Sequence, residues 1–122
     1  MAERRAPTRI ATAIAIAGIV VLTILIARGW SYGYLLDQGY AIASVAWGQV
    51  LVADIYTGLV LFAAWIGWRE GPGPAAVAWI VALLVIGNLV ACLYVLRAVA
   101  QARGDHRRFW YGRRAEVESG AK

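Results

Sequence analysis

The stretch VLVADIYTGLVLF, residues 50–62, carries a carboxylate, Asp54, inside a run otherwise composed for hydrocarbon. An ionised Asp in the middle of a membrane helix costs roughly 2.5–3.5 kcal/mol, so it must face protein or water, or take up a proton. Two kinds of chemistry fit: ion or proton binding in a small carrier, or a hydrogen-bonded peg that fixes helix packing. Asn88 is the natural companion. Reflection through the polar turn REGPGP, residues 69–74, pairs position 54 with a position near 89. An amide and a carboxyl can satisfy one another where unpaired polar groups are costly. Tyr56 maps near Gly87, whose missing side chain would let two helices approach. Asp54, Tyr56 and Asn88 are therefore expected to form an intramembrane polar cluster. Seven residues separate Trp47 from Asp54, which sets the carboxyl about 10 Å below the Trp47 ring.

Other chemistry-bearing residues are few. Cys92 and His106 are single representatives of their types, so neither a disulfide framework nor a Cys/His metal site can be assembled within one chain. No metal and no cofactor is expected. Cys92 falls one helical turn beyond Asn88 and reads as a small packing residue. Glu70, beside Arg69 in the turn, reads as a solvated loop charge or a helix-terminus partner, with a part in a site at that surface as the rival reading. Arg97 reads as a snorkelling helix-end cation. The tail GDHRRFWYGRR, residues 104–114, interleaves Phe109, Trp110 and Tyr111 with Arg107, Arg108, Arg113 and Arg114. Such a mixture can bind single-stranded nucleic acid. In a membrane protein it reads instead as an anchor to anionic headgroups or to a partner subunit. There is no phosphate loop, no dinucleotide fingerprint and no HExxH pattern, and no catalysis is expected.

The elements that must hold these residues follow from hydropathy. Across 122 residues, apolar content is 61% and charge only 16%, with mean hydropathy +0.64. That exceeds an ordinary soluble domain and points to an all-α integral membrane protein. Three spans are predicted, over residues 10–27, 45–68 and 75–96, the last two forming an antiparallel hairpin about the turn. The first, preceded by ERRAPTR, reads as an uncleaved helix rather than a signal peptide. Trp47 and Trp68 bracket the second span, 21 residues apart, or about 31 Å of helix. Between the first two spans, residues 28–49 read as an interfacial loop bearing Trp30, Tyr32, Tyr34 and Tyr40, with room for one short helical turn lying on the membrane. Residues 97–122 read as a basic, aromatic tail. No second domain is expected.

Three spans place four cations (Arg4, Arg5, Arg9 and Arg69) on one side and eight on the other. The count favours a cytoplasmic C-terminus. The first span by itself, with three Arg before it and one after, argues the reverse. Eleven of the twelve cations are Arg, a GC-rich bacterial signature, which would make the location a bacterial inner membrane.

The stretch from Asp54 to Arg97 resembles a family of small plant and bacterial membrane proteins classed as a domain of unknown function. The matching residues are Asp54, Tyr56, Trp65, Glu70, Trp79, Gly87, Asn88 and the run CLYVL from Cys92 to Leu96. Many members carry Ser where this chain has Asn88. The resemblance implies a multi-helix membrane fold and no catalytic residue. With small-residue faces at Ala11/Ala15, Ala63/Gly67 and Gly87/Ala91, the chain reads as a non-enzymatic accessory subunit packing among other membrane-protein subunits. The rival reading is a homo-oligomeric transporter or channel with Asp54 in its pathway.

Overall fold

The structure is a computed structural model that describes residues 6–120. Arg4, Arg5 and Lys122, which enter the charge count above, lie outside the described residues. The described chain is helical throughout, joined by short turns. Helix α1 spans Ala6–Tyr32 and α3 spans Ala46–Glu70. Each contains a 25-residue candidate span, Thr8–Tyr32 and Ala46–Glu70, whose most apolar 18-residue windows have mean hydropathies of 2.8 and 1.9. At 1.5 Å per residue each covers about 37 Å, more than the roughly 30 Å of a bilayer core.

Where an interfacial loop was expected, α1 continues to Tyr32 and a ten-residue helix, α2 (Leu35–Ser44), follows. It buries no residue, and Trp30, Tyr32, Tyr34 and Tyr40 are all exposed. Helix α3 ends at Gly71, φ +73, and Pro74 opens α4 (Pro74–Ile86) at a position where a missing N–H costs nothing.

The expected third span is not continuous. Gly87, at φ 88 and ψ −148, separates α4 from α5 (Asn88–Ala102). This backbone region is open essentially to glycine alone. The chain reverses there: the rings of Trp79 and Tyr94 lie 5.2 Å apart. In one unbroken helix, fifteen residues would hold them about 22 Å apart. Hence α4 reaches only about 20 Å from the turn at residues 71–73 before α5 returns.

Leu59, Ala63 and Ile66 of α3 pack with Leu83 of α4 and with Val90 and Tyr94 of α5. Helix α1 lies along α5, with Gly18 against Cys92. Two short helices, α6 (His106–Tyr111) and α7 (Arg113–Gly120), follow. Asp105 caps α6 by accepting from the Arg107 N–H at 2.9 Å. Phe109 then packs on Ala98 and Ala102, so the expected tail folds back onto the bundle.

The reversal leaves part of α3 bare. From residue 49 to residue 58 every residue is exposed, and burial resumes at Leu59, level with the tip of the turn. Gly87→Ala is expected to destabilise the protein by on the order of 1–3 kcal/mol. Gly58→Ala, in a helix with no atom near a new Cβ, should be neutral or slightly stabilising. Thermal unfolding of the two variants in detergent separates a required backbone geometry from a general response to added methyl groups.

Candidate functional site

The polar centre of the fold lies where α3 ends. Arg69 and Glu70 close its last turn, and both are buried, Arg69 to 2% exposure. Helical spacing puts Tyr94, Arg97 and Gln101 along one face of α5 opposite them. Glu70 Oε1 accepts three hydrogen bonds: from Tyr94 OH at 2.8 Å, from Arg97 Nη1 at 2.6 Å and from Arg69 Nη1 at 3.1 Å. Arg69 spends its remaining donors on Tyr94 OH (3.2 Å), Gln101 Oε1 (3.1 Å) and, through Nε, the Phe109 carbonyl (3.0 Å). The last bond ties the tail to α3.

Aromatic rings seal this network from below. Trp65, Phe62 and Trp79 meet Tyr94 edge-on at 5.6, 6.1 and 5.2 Å. The Arg97 guanidinium stands 5.4 Å over Trp79, a favourable cation–π distance. At the corner between α6 and α7, Gly112 has φ +51, and a Cβ there would come within 2.7 Å of Arg69 Cγ. Glycine lets the tail sit directly on the arginine. Through Glu70 Oε1 and the Arg69 guanidinium the network clamps α3, α5 and α6 together.

Glu70 is therefore not a solvated loop charge, and Arg97 does not simply snorkel. A sequence signal for the clamp did exist. Tyr94, Arg97 and Gln101 share a helix face, and Arg69–Glu70 sits at a turn that must meet some helix end. What sequence could not supply was the return of α5 to that turn.

The anticipated cluster fares differently. Asp54 and Asn88 are both exposed, Tyr56 is half exposed, and no hydrogen bond joins the three among the described residues. The reflection that paired Asp54 with Asn88 assumed a continuous third span. With the chain turning at Gly87, the tip reaches only Leu59, and Asp54 lies five residues further along α3, about 7.5 Å away.

Tail residues divide. Phe109 is buried and so is withdrawn from lipid. Trp110 stacks near Trp65 at 6.0 Å and donates Nε1–H to His106 Nε2 at 3.1 Å. Arg114 lies 4.0 Å over the Trp68 ring. Arg107 pairs with Glu118 at 3.0 Å and Arg108 with Glu116 at 3.5 Å, both in the open. Tyr111 and Arg113 are exposed.

Helices α1, α3, α5 and α6 also enclose an apolar groove of about 630 Å³. Its walls include Ile14, Gly58, Phe62, Trp65, Cys92 and Trp110. Trp65 Nε1 is buried without a hydrogen-bond partner among the described residues. Asp54 is one helical turn before Gly58, and Asn88 one turn before Cys92, so both share the helix faces that line this groove. Among the described residues no group of three or more His, Cys, Asp or Glu could hold a metal.

Fold and site together describe an all-helical protein with two helices long and apolar enough to cross a membrane. Comparison with protein-family models, with curated proteins and with solved structures found no match.

Removing the Glu70 carboxylate leaves Arg69 charged and buried. Glu70→Ala is expected to cost about 3–5 kcal/mol of stability, and Tyr94→Phe about 1 kcal/mol. Denaturant unfolding in detergent micelles measures both. A loss below 1 kcal/mol for Glu70→Ala would show that water reaches Arg69 and that the clamp is weak.

Proposed function

We propose that the chain is a small, non-enzymatic membrane protein that acts as an accessory or structural subunit within a larger membrane complex. In this reading α1 and α3 cross the bilayer, and α4–α5 enter from one side and return to it. The turn at residues 71–73, the tail and the start of α1 then share a side. Of the described cations, Arg9, Arg69, Arg97, Arg103, Arg107, Arg108, Arg113 and Arg114 fall on that side, and Arg28 falls opposite. Eight against one strongly favours that side as the cytoplasm, within a bacterial inner membrane. The conflict between the whole-chain count and the first helix disappears, because the start of α1 and the tail now share a side.

The observation that carries the subunit reading is the uncovered stretch of α3. Asp54 stands there at hydrocarbon depth with no partner among the described residues, and Thr57, whose hydroxyl bonds the Ala53 carbonyl at 2.7 Å, is exposed on the same stretch. A carboxyl in that position needs a polar partner or water, and a neighbouring subunit supplies either. Family membership belongs to the same proposal. Trp65, Glu70, Trp79 and Tyr94, all within the resembling stretch, gather in one network, and Gly87 makes the turn that permits it.

A second reading, a homo-oligomeric transporter or channel, draws on a different observation. Asp54 and Asn88 lie on the groove-lining faces of two different helices, one turn past the groove residues. An oligomer could line a path with them, whereas three or four helices enclose little water.

Two measurements address this. In a Cys92→Ala background, Pro72→Cys and Ser119→Cys should react with an impermeant maleimide from the same side of the membrane, and Ser31→Cys from the other. Labelling of positions 72 and 119 from opposite sides would restore three full spans. Purification from the native membrane in mild detergent should bring down larger heterologous partners, and Asp54→Leu should reduce their recovery at least tenfold with folding intact. A pure homo-oligomer, together with transport abolished by Asp54→Asn, would replace the subunit reading with the second one.

A further inference from the structure

Outside the clamp, the ends of α3 and α5 and the α6–α7 corner enclose a separate polar cavity of about 610 Å³. Five arginines line it, Arg69, Arg97, Arg103, Arg108 and Arg113, against two carboxylates, Glu70 and Glu116. The excess is three positive charges. Glu70 answers Arg69 and Arg97, and Glu116 stands 3.5 Å from Arg108. Arg103 and Arg113 have no ion-pair partner among the described residues, and both are exposed.

Like charges gathered in a concavity repel one another and focus the potential on its centre. An anion placed there relieves that repulsion. Arginine, with its planar fork of donors, suits phosphate oxygens better than a spherical anion. Arg103, at φ 48 and ψ 35, is the non-glycine residue with positive φ among the described residues. It is the left-handed cap that ends α5, a common way for a helix to stop, and it turns the chain so that Arg103 joins the wall of the cavity. Nearby, Trp68 and Tyr111 are exposed, aromatic types that settle at headgroup level. If α1 and α3 cross the bilayer as proposed above, on which the lipid arm of this inference rests, the cavity falls at the level of the phosphates.

We propose that this cavity binds a phosphate-bearing anion, with Arg103 and Arg113 as its free contacts and Arg69 and Arg97 as its fixed, positively charged floor. The proposal does not rest on the subunit reading, since Asp54 lies far along α3 from the cavity. The shared chemistry is a phosphate mono- or diester, supplied by an anionic lipid headgroup or by a soluble phosphate compound.

The test uses the full chain in dodecyl maltoside. Native mass spectrometry follows titration with phosphatidylglycerol or with phosphatidylcholine, and calorimetry follows titration with inorganic phosphate. The wild type is expected to retain one tightly held phosphatidylglycerol in preference to phosphatidylcholine, or to bind phosphate with one-to-one stoichiometry. Retained lipid that phosphate fails to displace assigns the headgroup, and displacement by phosphate assigns the soluble source. The double variant Arg103→Gln/Arg113→Gln should bind about 30-fold more weakly, two contacts at about 1 kcal/mol each. The charge-matched variant Arg107→Gln/Arg114→Gln, outside the cavity, should change binding less than threefold. Equal weakening in both double variants would reduce the effect to the general field of a basic tail and overturn the proposal. A wild type with neither lipid preference nor response to phosphate would overturn it without recourse to any variant.

Discussion

One carboxylate oxygen joins the parts of this molecule. Glu70 Oε1 receives a phenol and two guanidinium groups, and through them α3 is bound to α5. Arg69, held by the same oxygen, reaches the Phe109 carbonyl and secures α6. Arg97, on the far side of the oxygen, lies over Trp79 and so engages α4. The bonds among Arg69, Glu70 and Tyr94 are charge-assisted and buried beneath Trp65 and Phe62, conditions under which a hydrogen bond is stronger and its loss more costly than in water. Geometry justifies the burial of two opposite charges here. Coulombic attraction without satisfied donors and acceptors would not offset their desolvation.

That anchoring explains how a short helical pair is held beside two long helices. Helix α4 leaves the clamp at the turn, and α5 must return to it to deliver Tyr94, Arg97 and Gln101. Gly87 permits the reversal, and its position sets the depth reached. Thirteen residues of α4 fall short of a bilayer's thickness, so the far halves of α1 and α3 lack the cover that the near halves have. In the membrane reading proposed above, apolar side chains there have lipid as a solvent and need nothing more. Asp54 does not have that option. The asymmetry divides the molecule into an end that is internally satisfied and an end whose polar residue looks outward.

The satisfied end also concentrates charge. Cationic residues gather around the ends of α3 and α5 because the tail folds back on them, with Gly112 allowing the close contact and Phe109 filling the gap beside Ala98 and Ala102. An extended tail would have spread the same arginines apart. Folded, they share a wall, and their mutual repulsion becomes a property that an anion can relieve.

How much of this was legible before the fold was known differs by element. The two long helices were readable because apolar length is a local property, and α3 runs from Ala46 to Glu70 close to the expected 45–68. The all-helical class followed from the same hydropathy. Residues 75–96 were apolar enough to read as one span, yet Gly87 divides them. A glycine inside an apolar helix is compatible with continuation or with a break, and what goes with the break is the attachment of α5 to Glu70 through Tyr94 and Arg97, 24 and 27 residues along the chain from it. The expected proximity of Asp54 and Asn88 depended on that choice and went with it. Burial of Glu70 and Phe109 was likewise undetermined locally, since Glu70 is enclosed by α5 and Phe109, beside Ala98 and Ala102 of the preceding helix, is closed off by Trp65 of α3. Hydropathy and length, being sums over neighbours in the chain, determined which segments are long apolar helices. The reversal, the clamp and the docked tail were decided by tertiary structure, because hydrogen-bond satisfaction of a buried charge depends on groups that only folding brings together.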